Sequence, residues 1–278
     1  MSQRNLQIIV IALSVALFAL LYFGGRTTAN NRSDVEKTRA LIAEGSTDTE
    51  KMIMSAKADL TEENLAPIVA IEAQLPLQLT DSLRAESFKA LSREWNILNK
   101  FSIGGVYALK VAEIENTETA WSIAGTTFGF ALQKEKDADT RKFCVEESVK
   151  AFEKAIEINP NETQHKINLA LTYVETEQPM QGITMLRDLS QKEPENTSVL
   201  MALAQLSIRS GQYDKAIERY ETVVKLEPNN VKAHYGLAQM YQSLGKNQEA
   251  IASYNKCLSL SEDEKLKSDI EQIIKKIK

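Results

Sequence analysis

Apolar and polar positions follow three regimes along this chain. Residues 6–24, LQIIVIALSVALFALLYFG, carry no charge, and twelve of the nineteen are Leu, Ile, Val or Phe. As a helix they span about 29 Å, near the hydrocarbon thickness of a bilayer, so a single transmembrane helix is predicted over 6–25 after a short tail at 1–5. From there to residue 80 the apolar runs are short, and capping signals at Ser33-x-x-Glu36 and Thr61-Glu62-Glu63 predict a linker followed by divergent helices. Beyond residue 81 apolar positions recur at helical spacing, and from 163 the whole pattern repeats every 34 residues.

The repeat shows most plainly in its punctuation. Pro160, Pro194 and Pro228 are 34 apart, as are Leu169-Ala170, Leu203-Ala204 and Leu237-Ala238, and Tyr173, Ser207 and Tyr241. Gly182, Ala216 and Ala250 are each followed four residues on by a large side chain, Leu186, Tyr220 or Tyr254. The Leu-Ala pair and the residue after it share one face of a first helix. A small residue lets a second helix approach, and the large residue one turn later fills the groove beside it. Gly211 and Gly245 mark the turn between the helices, and the proline stops the second one. Neither helix buries its face alone, so the units must stack.

These residues resemble the tetratricopeptide repeat (TPR), whose pattern is W-x2-L-G-x2-Y, then A-x3-F, then P over 34 residues. Three units match in register: 163–196, 197–230 and 231–264. Lys166, Leu200 and His234 replace the tryptophan, and Glu262 the last proline. Over 81–162 the resemblance loosens into degenerate helix pairs. Trp121, Ala124, Gly125 and Phe128 match a first helix, and Ser148, Phe152 and Pro160 a second. Eleven extra residues between them predict that both helices are lengthened around KEKDADT. Gly104-Gly105 predicts a close approach in the pair before. Residues 265–278 form a terminal capping helix, opened by Ser261-x-x-Glu264, with Leu266, Ile270, Ile273, Ile274 and Ile277 on its apolar face. The implied fold is all-α, a TPR solenoid preceded by one transmembrane helix.

The composition removes several functions. A net charge of −5 argues against nucleic acid as a partner. Cys144 and Cys257 fall in no metal or redox motif and read as small apolar residues in helix contacts. No nucleophile elbow, phosphate loop or metal-ligand set is present, so no enzyme activity, metal or cofactor is expected. Asn161-Glu162-Thr163 and Asn196-Thr197-Ser198 are formal glycosylation sequons at repeat turns.

The resemblance implies a binding surface on the first helices. Gln164, Ile167, Asn168, Leu171, Met201, Gln205, Tyr235 and Gln239 are expected to line a continuous strip, neutral to mildly apolar, suited to a protein or peptide segment. Tyr235 is its candidate anchor, with Tyr241 as the core aromatic. The basic residues of the family's carboxylate clamp are missing, with only Asn168 in place. Layout and repeat together are similar to bacterial inner-membrane TPR proteins with one N-terminal anchor and a periplasmic array, such as accessory subunits of the secretion translocon and of cytochrome c maturation. A membrane-anchored scaffold or assembly factor follows; the alternative is a structural subunit that self-associates into an oligomer. Arg4 on one side of the run against Arg26, Arg32, Lys37 and Arg39 on the other favours the alternative orientation, a cytoplasmic array, although long domains translocate largely regardless of charge and Arg4 lies closest to the short tail. Cleavage is disfavoured, because the apolar run is long, Thr27-Thr28-Ala29 is a poor cleavage site, and no cysteine follows for a lipoprotein signal.

Overall fold

The computed structural model describes residues 48–78 and 80–277, which form thirteen α-helices and one short 3₁₀ turn. Two units are distinguished, divided after Leu60. The first contains, among the described residues, α1 (Asp48–Ala58). The second holds α2 (Glu62–Gln74), α3 (Asp81–Ile97), α4 (Phe101–Glu115), α5 (Glu118–Leu132), α6 (Ala138–Ile158), α7 (Thr163–Val174), α8 (Pro179–Lys192), α9 (Thr197–Arg209), α10 (Tyr213–Leu226), α11 (Val231–Ser243), α12 (Asn247–Leu260) and α13 (Glu264–Ile277). Among the described residues no helix is long and apolar enough to cross a membrane. The run at 6–24 and the Ser33 capping signal lie outside them.

The second unit is a solenoid-like succession in which each helix packs on the next, with α7 also touching α5 and α9. Helix boundaries follow the local chemistry. Thr61, Thr80 and Thr117 cap α2, α3 and α5 by accepting from the third residue on, and Asn196 and Asn230 do the same for α9 and α11. Pro160, Pro194 and Pro228 each sit two residues beyond a helix end. Gly211 and Gly245 turn the chain at φ +72° and +70°, a left-handed backbone that a side chain disfavours. The terminal helix departs from its expected cap. Asp263 accepts from the Lys265 and Leu266 amides, while Ser261 accepts only from Asp263 N, so the charged Asp263, two residues on, holds the helix start.

The small-then-large pattern becomes packing. Gly182 is buried, Ala216 and Ala250 have no exposed surface, and Leu186, Tyr220 and Tyr254 are buried beside them. A Cβ on Gly182 would collide with the Ala170 carbonyl oxygen of α7, so α8 reaches its partner only because none is there. Burial pushes the Tyr254 phenol up to about 12, and its hydroxyl donates to Gln242. Cys144 and Cys257 are buried, and desolvation pushes their thiols up to about 12 and about 11, away from reactivity.

The divergent pairs are built differently. Two of their glycines seat aromatic rings: a Cβ on Gly105 would lie 2.6 Å from the Phe128 ring, and one on Gly125 2.9 Å from Phe152. Gly104 brings α3 and α4 together, and Ser92 donates to its carbonyl at 2.8 Å. The extra residues before Pro160 lengthen one helix more than the other. The second helix, α6, runs for 21 residues, against 15 in α5. Its added turns place Arg141 where the following pair can reach it.

Candidate functional site

On the first helices α7, α9 and α11, the eight strip residues divide by burial. Gln164, Gln205 and Gln239 are exposed, and Gln164 donates to Asn168 Oδ1 at 2.8 Å. Leu171, Met201 and Tyr235 are half-buried. Ile167 is a correction: it is 2 % exposed, in a core with Ala170, Leu186, Val199 and Leu203. Residues 167, 201 and 235 occupy one repeat position, and at 167 the following first helix covers the side chain completely. Tyr235 is also more than a free anchor. Its ring meets Tyr254 edge-on at 5.8 Å, against the cluster of Ile270 and Ile274 from α13. The strip is therefore a row of glutamines broken by half-buried apolar side chains.

Beside the strip run polar staples that the sequence reading missed. Glu193 accepts from the Thr163 hydroxyl at 2.8 Å and Asn196 Nδ2 at 2.7 Å; Glu227 accepts from Thr197 at 2.7 Å and Asn230 at 2.7 Å. These hydrogen bonds, with the threonine first, hold both carboxyls below the usual glutamate range. Glu193, Asn196 and Thr163 recur 34 residues later as Glu227, Asn230 and Thr197, so the spacing carried the signal. A second ladder follows the ends of these helices. Glu175 pairs with Arg141 at 2.8 Å and with Arg209 at 2.5 Å. At the joint with the divergent pairs, Glu118 accepts from Asn159 and lies 2.7 Å from His165 Nε2, contacts that lower its carboxyl pKa.

The second unit also holds a cleft of about 640 Å³ between α3 and α5, floored by α4. Its floor is apolar and small, with Ala108, Val111 and Ala120 all buried, while Ile97 and Ile123 stand on opposite walls, 65 % and 54 % exposed. Lys89, at one end, is bridged to Glu115 at 2.7 Å and Glu86 at 2.9 Å. No group of three or more metal-ligating side chains occurs among the described residues. The arrangement offers burial and hydrogen bonds to a ligand.

Comparison with known proteins agrees with the repeat. Residues 143–232 match the model of the cytochrome c-type biogenesis protein H TPR domain, and residues 201–264 match a tetratricopeptide repeat model. The mouse interferon-induced protein with tetratricopeptide repeats 3 is 35% identical over 71 residues, which is 26% of this chain and 18% of that protein. The chain thus matches less than a fifth of the length of this curated relative. A tetratricopeptide repeat protein from Parabacteroides merdae superposes over 82% of this chain and 88% of its own, with a TM-score of 0.50 at 15% identity. YrrB, described as a TPR protein with an unusual peptide-binding site, covers 68% of this chain and 92% of its own, with a TM-score of 0.40 at 17% identity. The chain carries tetratricopeptide repeats and folds as helix pairs of that kind.

Proposed function

We propose that this chain is a membrane-anchored scaffold whose TPR array binds a protein or peptide segment, serving as an accessory or assembly factor of a bacterial membrane or periplasmic complex. The observation that carries the reading is the stacking of α5, α7 and α9 in register, with glutamines of α7, α9 and α11 left open to solvent. Side-chain amides both donate and accept, so a row of them suits the backbone of a bound segment. The match of 143–232 to the TPR domain of a cytochrome c-type biogenesis protein supports an assembly role. The apolar run at 6–24 supports anchoring in the inner membrane; the likeness of layout to anchored bacterial TPR proteins favours a periplasmic array, and the basic residues after the run favour the alternative, a cytoplasmic one.

Photocrosslinking from Gln205 and Gln239 in the full chain, within intact membranes, tests the array. A discrete partner band from both positions is expected, and no band from either overturns the reading. A carbonate wash tests the anchor: the full chain stays with the membrane. A soluble protein shortened by about 29 residues would instead establish a cleaved leader.

A further inference from the structure

One joint of the array carries its charge the other way round. In the joints before and after it, a first-helix tyrosine donates to a glutamate of the preceding second helix: Tyr173 to Glu153 at 3.5 Å and Tyr241 to Glu221 at 2.8 Å. The same two positions of the middle joint, 34 residues along, hold Ser207 and Arg187. Arg219 of α10 reaches the short serine, donating from Nη1 to Ser207 Oγ at 2.5 Å and to the Lys215 carbonyl at 3.3 Å. Ser207 is buried and gives its own proton to the Leu203 carbonyl at 2.9 Å. Residue 219 is an arginine where the neighbouring units have Met185 and Ser253.

Two guanidinium groups thus come near each other with no carboxylate paired to either. Neither makes an ion pair among the described residues, and Arg187, exposed on α8, makes no hydrogen bond there. Burial lowers the pKa of the half-buried Arg219; Glu218, beside it in the chain, raises it, and the positive charge of Arg187 lowers it again. A guanidinium has five N–H donors, and the two bonds above use only Nη1 of Arg219. Filling the space of the missing tyrosine accounts for a long side chain at 219. It does not account for a second cation at 187, where both neighbouring joints have a glutamate.

We propose that Arg187 and Arg219 form an oxyanion site that takes a phosphate group, free or as a monoester, at the joint between units 163–196 and 197–230. A phosphate monoester carries about −1.5 to −2 charges at pH 7, which answers two cations, whereas a single carboxylate leaves one of them unpaired. The planar guanidinium forks donate paired hydrogen bonds to phosphate oxygens. Ser207 holds the Arg219 fork in place from below. The site lies apart from the glutamine strip, since Ser207 sits roughly 200° round α9 from Gln205. It does not rest on the reading of that strip as a partner-binding surface.

The test is equilibrium dialysis of radiolabelled inorganic phosphate against the full chain in phosphatidylcholine nanodiscs, with empty nanodiscs as blank and ionic strength held constant with chloride. Saturable uptake of one phosphate per chain at millimolar concentration is expected. Arg187→Gln and Arg219→Met should each weaken it about tenfold, the size of one charge-assisted contact. Arg187→Glu/Ser207→Tyr/Arg219→Ser rewrites the middle joint in the residues of the joint between α10 and α11. That variant should keep the parent's helicity and take up no phosphate. Nanodiscs containing phosphatidic acid separate the two sources. A lipid headgroup in the site lowers uptake of free phosphate there, and a site for soluble phosphate takes up the same amount in both. The inference is overturned if the parent shows no saturable uptake, or if Arg187→Gln binds phosphate as tightly as the parent. The second result would leave Arg219 as a side chain that fills space. Crosslinking from Gln205 and Gln239 reads the strip separately, so either site can fail without the other.

Discussion

The three regular repeats and the divergent pairs before them solve the same packing problem with different parts. In α7–α12 the small residue sits on the second helix, and a tyrosine or leucine one turn later fills the groove. In α4–α6 Gly105 and Gly125 each seat a phenylalanine arriving from the next helix, while Gly104 faces Asn96 of α3; among the repeats Gly236 likewise seats the Tyr220 ring. The repeats are joined by staples that recur every 34 residues; the divergent pairs are joined by aromatic contacts and single polar links such as Ser148 to the Gly125 carbonyl at 3.0 Å. The divergent pairs hold the cleft between α3 and α5.

This contrast breaks first at Phe152. The ring is 2 % exposed and lies in the Gly125 seat. Phe152→Ala should lower unfolding free energy by about 3–5 kcal/mol in urea titration, since helix α6 cannot collapse into the vacated space. Adding Gly125→Leu should recover part of the loss by refilling the seat. An unchanged double variant would mean that the glycine is there for another reason.

The regular repeats break next at their small residue. Ala216→Leu should overpack α10 against its neighbours and cost about 1–3 kcal/mol, read as a lower melting temperature. A melting temperature equal to the parent's would defeat the repeat register.

The staples give a smaller effect and a pH signature. Thr197→Val removes one donor to Glu227 and should cost about 1 kcal/mol. Glu193 and Glu227 have folded-state pKa values below the ordinary glutamate value of about 4.3, so their stabilisation is present above that pH. It is lost as pH falls through the lowered values. Stability measured from pH 6 down to pH 3 should therefore decline less steeply in Glu193→Gln/Glu227→Gln than in the parent. Equal slopes would show that the threonines and asparagines do not hold these carboxylates in solution.

Smallest is the ladder across the boundary between the two regions. Glu175 touches Arg141 from the lengthened α6 and Arg209 from α9, and all three are at least partly exposed. Glu175→Gln should cost no more than about 1 kcal/mol, and the difference should shrink in high salt. A larger loss that ignores salt would mean that the boundary depends on this ladder.

Much of the architecture was legible in the residues. Helix punctuation by Pro160, Pro194, Pro228, Gly211 and Gly245, and the Gly182, Ala216 and Ala250 seats, are local rules written at one period. Chain chemistry alone also left Cys144 and Cys257 without a reactive setting, and the structure buries both. The strip was legible only as a face. Helical periodicity says which side a residue occupies, and it placed 167, 201 and 235 together. It says nothing of what the next helix lays over that side, so Ile167 disappears into the core while Met201 and Tyr235 stay half-open.

What the sequence determined by itself, then, was the succession of paired helices and the side of each that faces its neighbours, because backbone capping and apolar period act within a few residues. Tertiary structure alone decided that α6 takes most of the extra turns, that Glu118 meets His165 47 residues away, and that α3 and α5 stand apart over a floor of alanine and valine. Those outcomes depend on how side chains from different helices share one volume. That competition is settled only when all of them are in place.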